Sequence, residues 1–266
     1  MPDYVHGHET SERQRLRDQG ELLAELLFDD GDFSESEHIL EVGCGVGVQT
    51  ENISRRQPSA KITSVDVSEA YIRDARRNLE RAGITNVELH HADAMGLPFK
   101  EATFDHVFVC FVLEHLPDPQ QFLATARRLL RPGGHLTVIE GDHGSAYFHP
   151  SGVLAQKLIE CQVELQAKAG GDARIGRRLF PMIVQAGFHK TRVSPRSVYV
   201  DGSRPKWIEG FTINTFTAMI KGIERPAIDT GLVSQEEFDQ GIEELLRTSE
   251  ADGTFNYTFF KATAER

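Results

Sequence analysis

A glycine-rich loop near residue 43 carries the residues best suited to bind a nucleoside. The segment reads Ile39-Leu40-Glu41-Val42-Gly43-Cys44-Gly45-Val46-Gly47. Glycine has no Cβ atom, so such a loop can turn tightly and lie against a ligand, and the N-terminus of a following helix offers unpaired N–H groups. Asp66 stands about twenty residues further on, at the end of the next apolar run, where a carboxylate can accept hydrogen bonds from both ribose hydroxyls. The pattern predicts a nucleoside-binding site.

The glycine spacing and Glu41 together indicate which nucleoside. Dinucleotide-binding loops read G-x-G-x-x-G, whereas this loop reads G-x-G-x-G. Glu41 precedes the first glycine closely, and its negative charge would repel a pyrophosphate and suit a cation. S-adenosylmethionine joins an adenosine to a cationic amino acid, so we expect it as cofactor, with S-adenosylhomocysteine as product. An NAD-dependent dehydrogenase is disfavoured, and a plain strand-to-helix turn remains the structural alternative.

The segments around the loop predict an α/β domain. Short runs rich in β-branched residues are each followed by a polar turn and a stretch of helical periodicity, which is typical of a parallel sheet with crossover helices. Predicted helices begin after Ser68 and Asp118, both good N-cap residues. The predicted strands are His38–Val42, Lys61–Asp66, Val87–His91, His106–Phe111 and His135–Glu140.

The chain divides into four predicted parts. Residues 1–34 form an N-terminal helical lid, residues 35–202 the cofactor-binding α/β core, residues 203–250 a helical insert that serves as a lid or a dimer surface, and residues 251–266 the final strand of the core sheet. In the lid, the residues expected to close over the cofactor are Tyr4, His6, Arg15 and Gln19, with Arg15 able to pair with the methionine carboxylate; a solvated helix face is the alternative.

Composition narrows the classes of partner. The 266 residues contain 29 Lys and Arg against 40 Asp and Glu, and the net charge of -11 disfavours nucleic acid and anionic membranes. The three cysteines, Cys44, Cys110 and Cys161, have no CxxC spacing, so we expect neither a disulfide framework nor a metal site. The sequence has no apolar run long enough to span a membrane, and its first residues lack the apolar stretch of a signal peptide. We therefore expect a cytoplasmic protein.

Five ordered motifs resemble those of the class I S-adenosylmethionine-dependent methyltransferases, particularly the UbiE-like small-molecule branch. The segment from Glu41 to Gly47 resembles the first motif, whose glycine backbone cradles the methionine moiety. Asp66 resembles the ribose-binding acid, with Val67 beside the adenine. Asp93-Ala94 resembles the third motif, in which the acid accepts a hydrogen bond from the adenine amino group. The segments of residues 104–116 and 130–134 resemble the fourth strand with its exit and the turn into the fifth strand.

The resemblance implies a Rossmann-like fold, with a mostly parallel seven-stranded sheet, helices on both faces and a helical insert late in the chain. It also implies a set of cofactor-binding residues at the ends of the first four strands. They are Glu41, Gly43, Cys44, Gly45, Gly47, Asp66, Val67, Asp93, Ala94, Cys110 and Phe111.

Methyl transfer from a sulfonium is an in-line displacement whose leaving group needs no acid, so few side chains need be catalytic. Ligands of open parallel sheets lie beyond the carboxyl ends of the strands. His143 is a candidate general base there, because imidazole titrates near neutral pH, with Asp142 or Glu140 to orient it. His115 stands at the family's recurrent histidine position. For both histidines a structural role is the alternative.

We therefore expect methyl transfer to a small-molecule acceptor, with no nucleic-acid or membrane partner. After the fourth strand, amino-methylating families usually have Asn/Asp-Pro-Pro-Tyr/Phe. This sequence has Phe111-Val112-Leu113-Glu114 there, which argues against a protein or nucleic-acid methyltransferase. A protein or nucleic-acid methyltransferase and a non-catalytic S-adenosylmethionine-binding protein remain alternative functions. A homodimer is a possible oligomeric state. Oxygen, nitrogen, carbon and sulfur acceptors all remain open.

Overall fold

The computed structural model describes residues 20, 22–28, 33 and 37–266. Tyr4, His6, Arg15 and Gln19, and most of the predicted 1–34 lid, lie outside the described residues. The chain divides into two compact units. We call them the glycine-loop unit, with residues 23–140, 176–194 and 260–266, and the helical unit, with mainly residues 141–175 and 195–259. Each is described on its own, and the four-part division of the sequence stays a prediction.

Helices and strands alternate through the first half of the chain, and helices dominate the second. In chain order the elements are α1 (including residues 22–28), β1 (His38–Val42), α2 (Val48–Arg56), β2 (Lys61–Asp66), α3 (Glu69–Arg81), β3 (Val87–His91), β4 (Phe104–Cys110), α4 (Pro119–Leu129), β5 (Leu130–Gly141), β6 (Tyr147–His149), α5 (Val153–Lys168), α6 (Leu179–Gln185), β7 (His189–Asp201), α7 (Pro205–Trp207), a π-helix (Ile208–Thr217), α8 (Ala218–Lys221), α9 (Glu224–Asp229), α10 (Gln235–Arg247) and β8 (Thr254–Glu265).

The sheet of the glycine-loop unit has the strand order β3-β2-β1-β4-β5-β8. Strands β1 to β5 are parallel, with Glu41 opposite Ser64 on β2 and Phe108 on β4. The chain therefore winds outward from β1 in one direction to β3 and in the other through β4. Ligands of such sheets bind where the winding reverses, which is beside the carboxyl end of β1. The predicted mostly parallel α/β fold is confirmed.

The predicted N-caps are also confirmed. The Ser68 hydroxyl accepts a hydrogen bond from the Tyr71 N–H, and the Asp118 carboxylate accepts one from the Gln121 N–H. Each supplies a partner to an N–H that has none within its helix.

Two details of the sheet differ from the prediction. Strand β4 ends at Cys110, one residue earlier than expected, because Phe111 has a φ of 58° and a left-handed backbone cannot continue a strand. Among the described residues the paired strands number eight rather than seven, because β7 pairs with β8 and β6 also pairs with it, antiparallel, with Phe148 opposite Phe255. A strand of three residues is too short to show an alternating pattern.

The helical unit contains the segment that the sequence predicts to be a helical insert. Helix α10 packs on α5, and the π-helix carries Phe211 and Phe216, five residues apart. Both rings pack against Tyr257 of β8, with centroids 5.9 and 5.6 Å away. The i to i+5 hydrogen bonding of a π-helix suits this spacing. None of the helices in the described ranges is both long and apolar enough to cross a bilayer.

The packing of α10 on α5 depends on Gly241. A Cβ atom there would lie 2.7 Å from Leu158 Cδ1 and 3.0 Å from the Leu154 carbonyl oxygen. We expect Gly241→Ala to lower the free energy of unfolding by about 1 to 3 kcal/mol, as overpacking does, measured by urea denaturation. In a Leu158→Ala background the same change should cost at least about 0.5 kcal/mol less. An equal cost in both backgrounds would contradict this account.

Candidate functional site

Backbone hydrogen bonds fix the glycine loop to the end of β2. The N–H groups of Gly43 and Cys44 both donate to the Val65 carbonyl, at 2.8 and 3.0 Å. Gly43, Gly45 and Gly47 have φ angles of 77°, 52° and 88°. This left-handed region is strained for residues with a side chain, so the loop needs glycine at these positions.

The three glycines face different surroundings. A Cβ atom at Gly43 would collide with Val112 Cγ2, in the turn after β4, and one at Gly47 would lie 3.1 Å from the Cβ of Ala75 on α3. Of the residues that the structure describes, none has an atom within 4 Å of a Cβ built at Gly45. Gly43 and Gly47 therefore let neighbouring elements pack against the loop, whereas the described residues leave space at Gly45 for a ligand to approach the backbone.

Asp66 holds the middle of the loop. Its Oδ2 accepts a hydrogen bond from the Gly45 N–H and its Oδ1 accepts one from the Ser68 N–H, both at 2.8 Å. The residue keeps 9% of its surface exposed, and its neighbour Val67 is 46% exposed. A carboxylate that is fixed by the backbone and an accessible apolar surface thus lie side by side at the end of β2.

Glu41 lies under the loop. It is 1% exposed, and its Oε2 accepts hydrogen bonds from the hydroxyls of Thr50, at 2.5 Å, and Ser64, at 2.7 Å. Burial raises the pKa of Glu41 to about 7, against the lowering effect of the two hydroxyls, and the charge of Asp66 raises it further. Glu41 therefore ties β1 to α2 and β2, the elements on either side of the loop. Thr50 and Ser64 were missed by the sequence analysis, since a lone hydroxyl carries no motif.

The other predicted cofactor residues lie at the ends of β3 and β4. Asp93 is exposed and caps a short 3-10 turn through a hydrogen bond from the Met95 N–H to its Oδ1, and Ala94 after it is buried. Cys110 ends β4 and is buried, and Phe111 is half-buried. All predicted cofactor-binding residues thus belong to one unit and one edge of its sheet.

Cys44 and Cys110 are unsuited to nucleophilic catalysis. Burial raises the pKa of both thiols well above the usual value, and nearby carboxylates, Glu41 for Cys44 and Glu140 for Cys110, raise it further. A thiol that stays protonated at neutral pH is a poor nucleophile. Among the residues that the structure describes, no group of His, Cys, Asp and Glu is arranged to hold a metal ion.

The predicted catalytic residues fall in different units. His115 ends a 3-10 turn in the glycine-loop unit, with its Nε2 3.7 Å from Glu114 Oε1. Asp142 and His143 belong to the helical unit. The Asp142 Oδ1 accepts a hydrogen bond from the Gly144 N–H, and the Nδ1 of His143 lies 2.7 Å from the hydroxyl of Tyr257. Tyr257 was not singled out from the sequence, where it reads as one position of an alternating strand.

The raised pKa of Glu41 makes stability depend on pH. Because the pKa of about 7 in the folded state lies above the ordinary 4.5, the folded protein holds this proton more tightly. The free energy of unfolding should fall as the pH rises from about 5 to 7, by up to roughly 3 kcal/mol from this group. Glu41→Gln should remove that part of the slope in denaturation curves at several pH values.

Glu88→Gln is the matched control, because the exposed Glu88 pairs with Lys61 and its pKa is lowered. Its slope between pH 5 and 7 should equal that of the parent protein. A Glu41→Gln protein with the parent slope would show that Glu41 is ionised throughout this range.

Comparison with known proteins identifies the domain that contains the glycine loop. Residues 39–134 match the family described as "Methyltransferase domain". An uncharacterised 37.1 kDa protein in transposon TN4556 of Streptomyces fradiae is 31% identical over 199 residues, which are 74% of this chain and 56% of that protein. Methyltransferase GfsG of Streptomyces halstedii is 31% identical over 138 residues, 52% of this chain and 49% of GfsG. The chain thus spans about half the length of these relatives.

Solved structures share the fold at low identity. The [4+2]-cyclase SpnF superposes with a TM-score of 0.59 at 18% identity, covering 92% of this chain and 80% of SpnF. A SAM-dependent methyltransferase from Aquifex aeolicus superposes with a TM-score of 0.53 at 20% identity, covering 73% of this chain and 93% of that protein. Residues 39–134 therefore form a methyltransferase domain, and the solved structures share its fold.

Proposed function

We propose that this chain transfers a methyl group from S-adenosylmethionine to a small-molecule acceptor. The glycine loop supports the proposal most directly, because Asp66 fixes Gly45 from one side while the other side of Gly45 is open. When bound, S-adenosylmethionine supplies an electrophilic methyl group on a sulfonium. The backbone of residues 43–47 would hold its methionine part.

The surroundings of the loop suit the adenosine part as well. The Asp66 carboxylate, which the backbone N–H groups of Gly45 and Ser68 orient, would accept hydrogen bonds from the ribose hydroxyls. The exposed side chain of Val67 would cover one face of the adenine, and the exposed Asp93 would accept from its amino group. A cationic cofactor fits an edge that carries Glu41, Asp66 and Asp93, whereas a pyrophosphate would be repelled.

His143, Asp142 and His115 are proposed to act on the acceptor. In-line transfer depends mainly on orientation and the exclusion of water, with a base only where the acceptor must lose a proton. The Nδ1 of His143 is held by Tyr257, and such a bond fixes the orientation of an imidazole. The name of another relative, a demethylmenaquinone methyltransferase of Listeria welshimeri that is 36% identical over 107 residues, supports a small-molecule acceptor. Three buried free cysteines favour a reducing, cytoplasmic location.

Loss of the Asp66 carboxylate should weaken cofactor binding. Asp66→Ala removes an acceptor for the ribose and releases the Gly45 N–H, at a cost of about 1.5 to 3 kcal/mol, or roughly ten- to a hundredfold in Kd. Calorimetric titration with S-adenosylhomocysteine measures the change.

Asp105→Ala is a matched control, because Asp105 also accepts two backbone hydrogen bonds, from Glu37 and His38 at the opposite end of β1. It should lower stability and leave the Kd nearly unchanged. Equal affinities of the Asp66→Ala and parent proteins would contradict the assigned ribose site.

Methyl transfer itself is measured as release of S-adenosylhomocysteine from S-adenosylmethionine in the presence of phenols, amines, thiols and carbon acids. If His143 is the base, His143→Ala should lower the rate with a responding acceptor about a hundredfold or more and leave cofactor affinity unchanged. An unaltered rate would remove His143 from the proposed mechanism.

A further inference from the structure

The turn after β4 forms one wall of the glycine loop, and its backbone is held in an unfavourable conformation. Val112 lies so close to Gly43 that no Cβ atom fits between them. Phe111, directly before it, has a left-handed backbone with a φ of 58°. Such strain in a residue with a bulky side chain costs on the order of 1 to 3 kcal/mol and persists only where the surroundings enforce it. Something must therefore hold this turn.

Glu140 supplies the restraint from the neighbouring strand β5. Its Oε1 accepts hydrogen bonds from the N–H groups of Val112, at 3.0 Å, and Leu113, at 2.7 Å. Glu140 is 0% exposed; its bond with Leu113 is buried and its bond with Val112 is partly buried, so water competes little for this oxygen. The sequence analysis considered Glu140 only as a residue that orients His143, but this oxygen is bound to the turn.

The other carboxyl oxygen shows the form in which Glu140 acts. Its Oε2 is buried, and it has no hydrogen-bond partner among the residues that the structure describes. Leaving an ionised oxygen without a partner in the protein interior is costly. Burial raises the pKa of Glu140 well above its usual range and the nearby carboxyl of Glu114 raises it further, against the smaller lowering effect of hydrogen bonds from the backbone N–H groups of Leu113, Val112 and Glu114. The neutral acid, with its proton on Oε2 and Oε1 as the acceptor, agrees with this geometry.

We propose that Glu140 is a positioning residue of the cofactor site, which holds the turn of residues 111–113 against the glycine loop by accepting two backbone hydrogen bonds as a neutral acid. It acts through Val112 on Gly43 and through the backbone on Phe111. The inference deepens the proposed function and rests on it.

If Glu140 acts as a neutral acid, three substitutions at this position should differ in a predictable order. Glutamine has the same shape as the protonated acid, with an amide oxygen to accept both N–H groups. Aspartate keeps the carboxyl group and is one methylene shorter, so it cannot reach the turn from the same backbone position. Alanine removes the acceptor altogether. A role that required only the negative charge would favour aspartate over glutamine, which is the opposite order.

The experiment is titration of the full-length Glu140→Gln, Glu140→Asp and Glu140→Ala proteins with S-adenosylhomocysteine, together with hydrogen exchange of the Val112 and Leu113 amides. We expect the Kd of Glu140→Gln to stay within about twofold of the parent value and that of Glu140→Ala to rise about tenfold or more, with Glu140→Asp weakened severalfold. Exchange at the two amides should accelerate in the same order. If Glu140→Ala does not fold, the comparison of Gln with Asp decides.

Thr137→Val controls for a general loss of stability. Thr137 is also buried on β5, and its hydroxyl bonds to His106 Nε2 at 2.9 Å. This variant should lose stability and keep the parent Kd. A parent protein that does not bind S-adenosylhomocysteine would refute the proposed function. If the parent binds, two results would overturn the role of Glu140 alone. One is that Glu140→Ala or Glu140→Asp binds as tightly as the parent, and the other is that Glu140→Gln is weakened as much as they are.

Discussion

The left-handed backbone of the glycine loop is the constraint on which the site depends. Its glycines let two elements pack where side chains would not fit, the turn after β4 at Gly43 and helix α3 at Gly47. The loop stays in this conformation because its N–H groups bond to the Val65 carbonyl and to the Asp66 carboxylate. Both acceptors stand at the end of β2, so the pairing of β1 with β2 sets where the loop lies. The open face at Gly45 follows from that placement.

Carboxyl groups at this edge of the sheet serve by accepting hydrogen bonds rather than by accumulating charge. Asp66 accepts hydrogen bonds from two backbone N–H groups. Glu41 and Glu140 are fully buried, and burial raises the pKa of each. The local negative charge at neutral pH is therefore smaller than a count of acidic residues suggests. A cationic cofactor would meet the charges of Asp66 and the exposed Asp93, with part of that of Glu41.

Much of the fold could be predicted because several local signals coincide. The glycine spacing, the apolar runs and the caps at Ser68 and Asp118 indicate the same alternation of strands and helices. The grouping of the predicted cofactor-binding residues at one edge follows too, since the ends of parallel strands meet there; their role stays a prediction. Contacts between residues distant in sequence could not be predicted. Glu140 and Val112 are 28 residues apart, His143 and Tyr257 are 114 apart, and neither pair has a pattern in the sequence.

The most direct test of the central claim is calorimetric titration of the parent protein with S-adenosylmethionine, S-adenosylhomocysteine and NAD in parallel. The claim concerns the cofactor, so no acceptor is needed. We expect both sulfur-containing nucleosides to bind with a Kd on the order of micromolar, with no heat from NAD. Binding of NAD, or no binding of either sulfur-containing nucleoside, would contradict the assignment of the glycine loop and the function that rests on it.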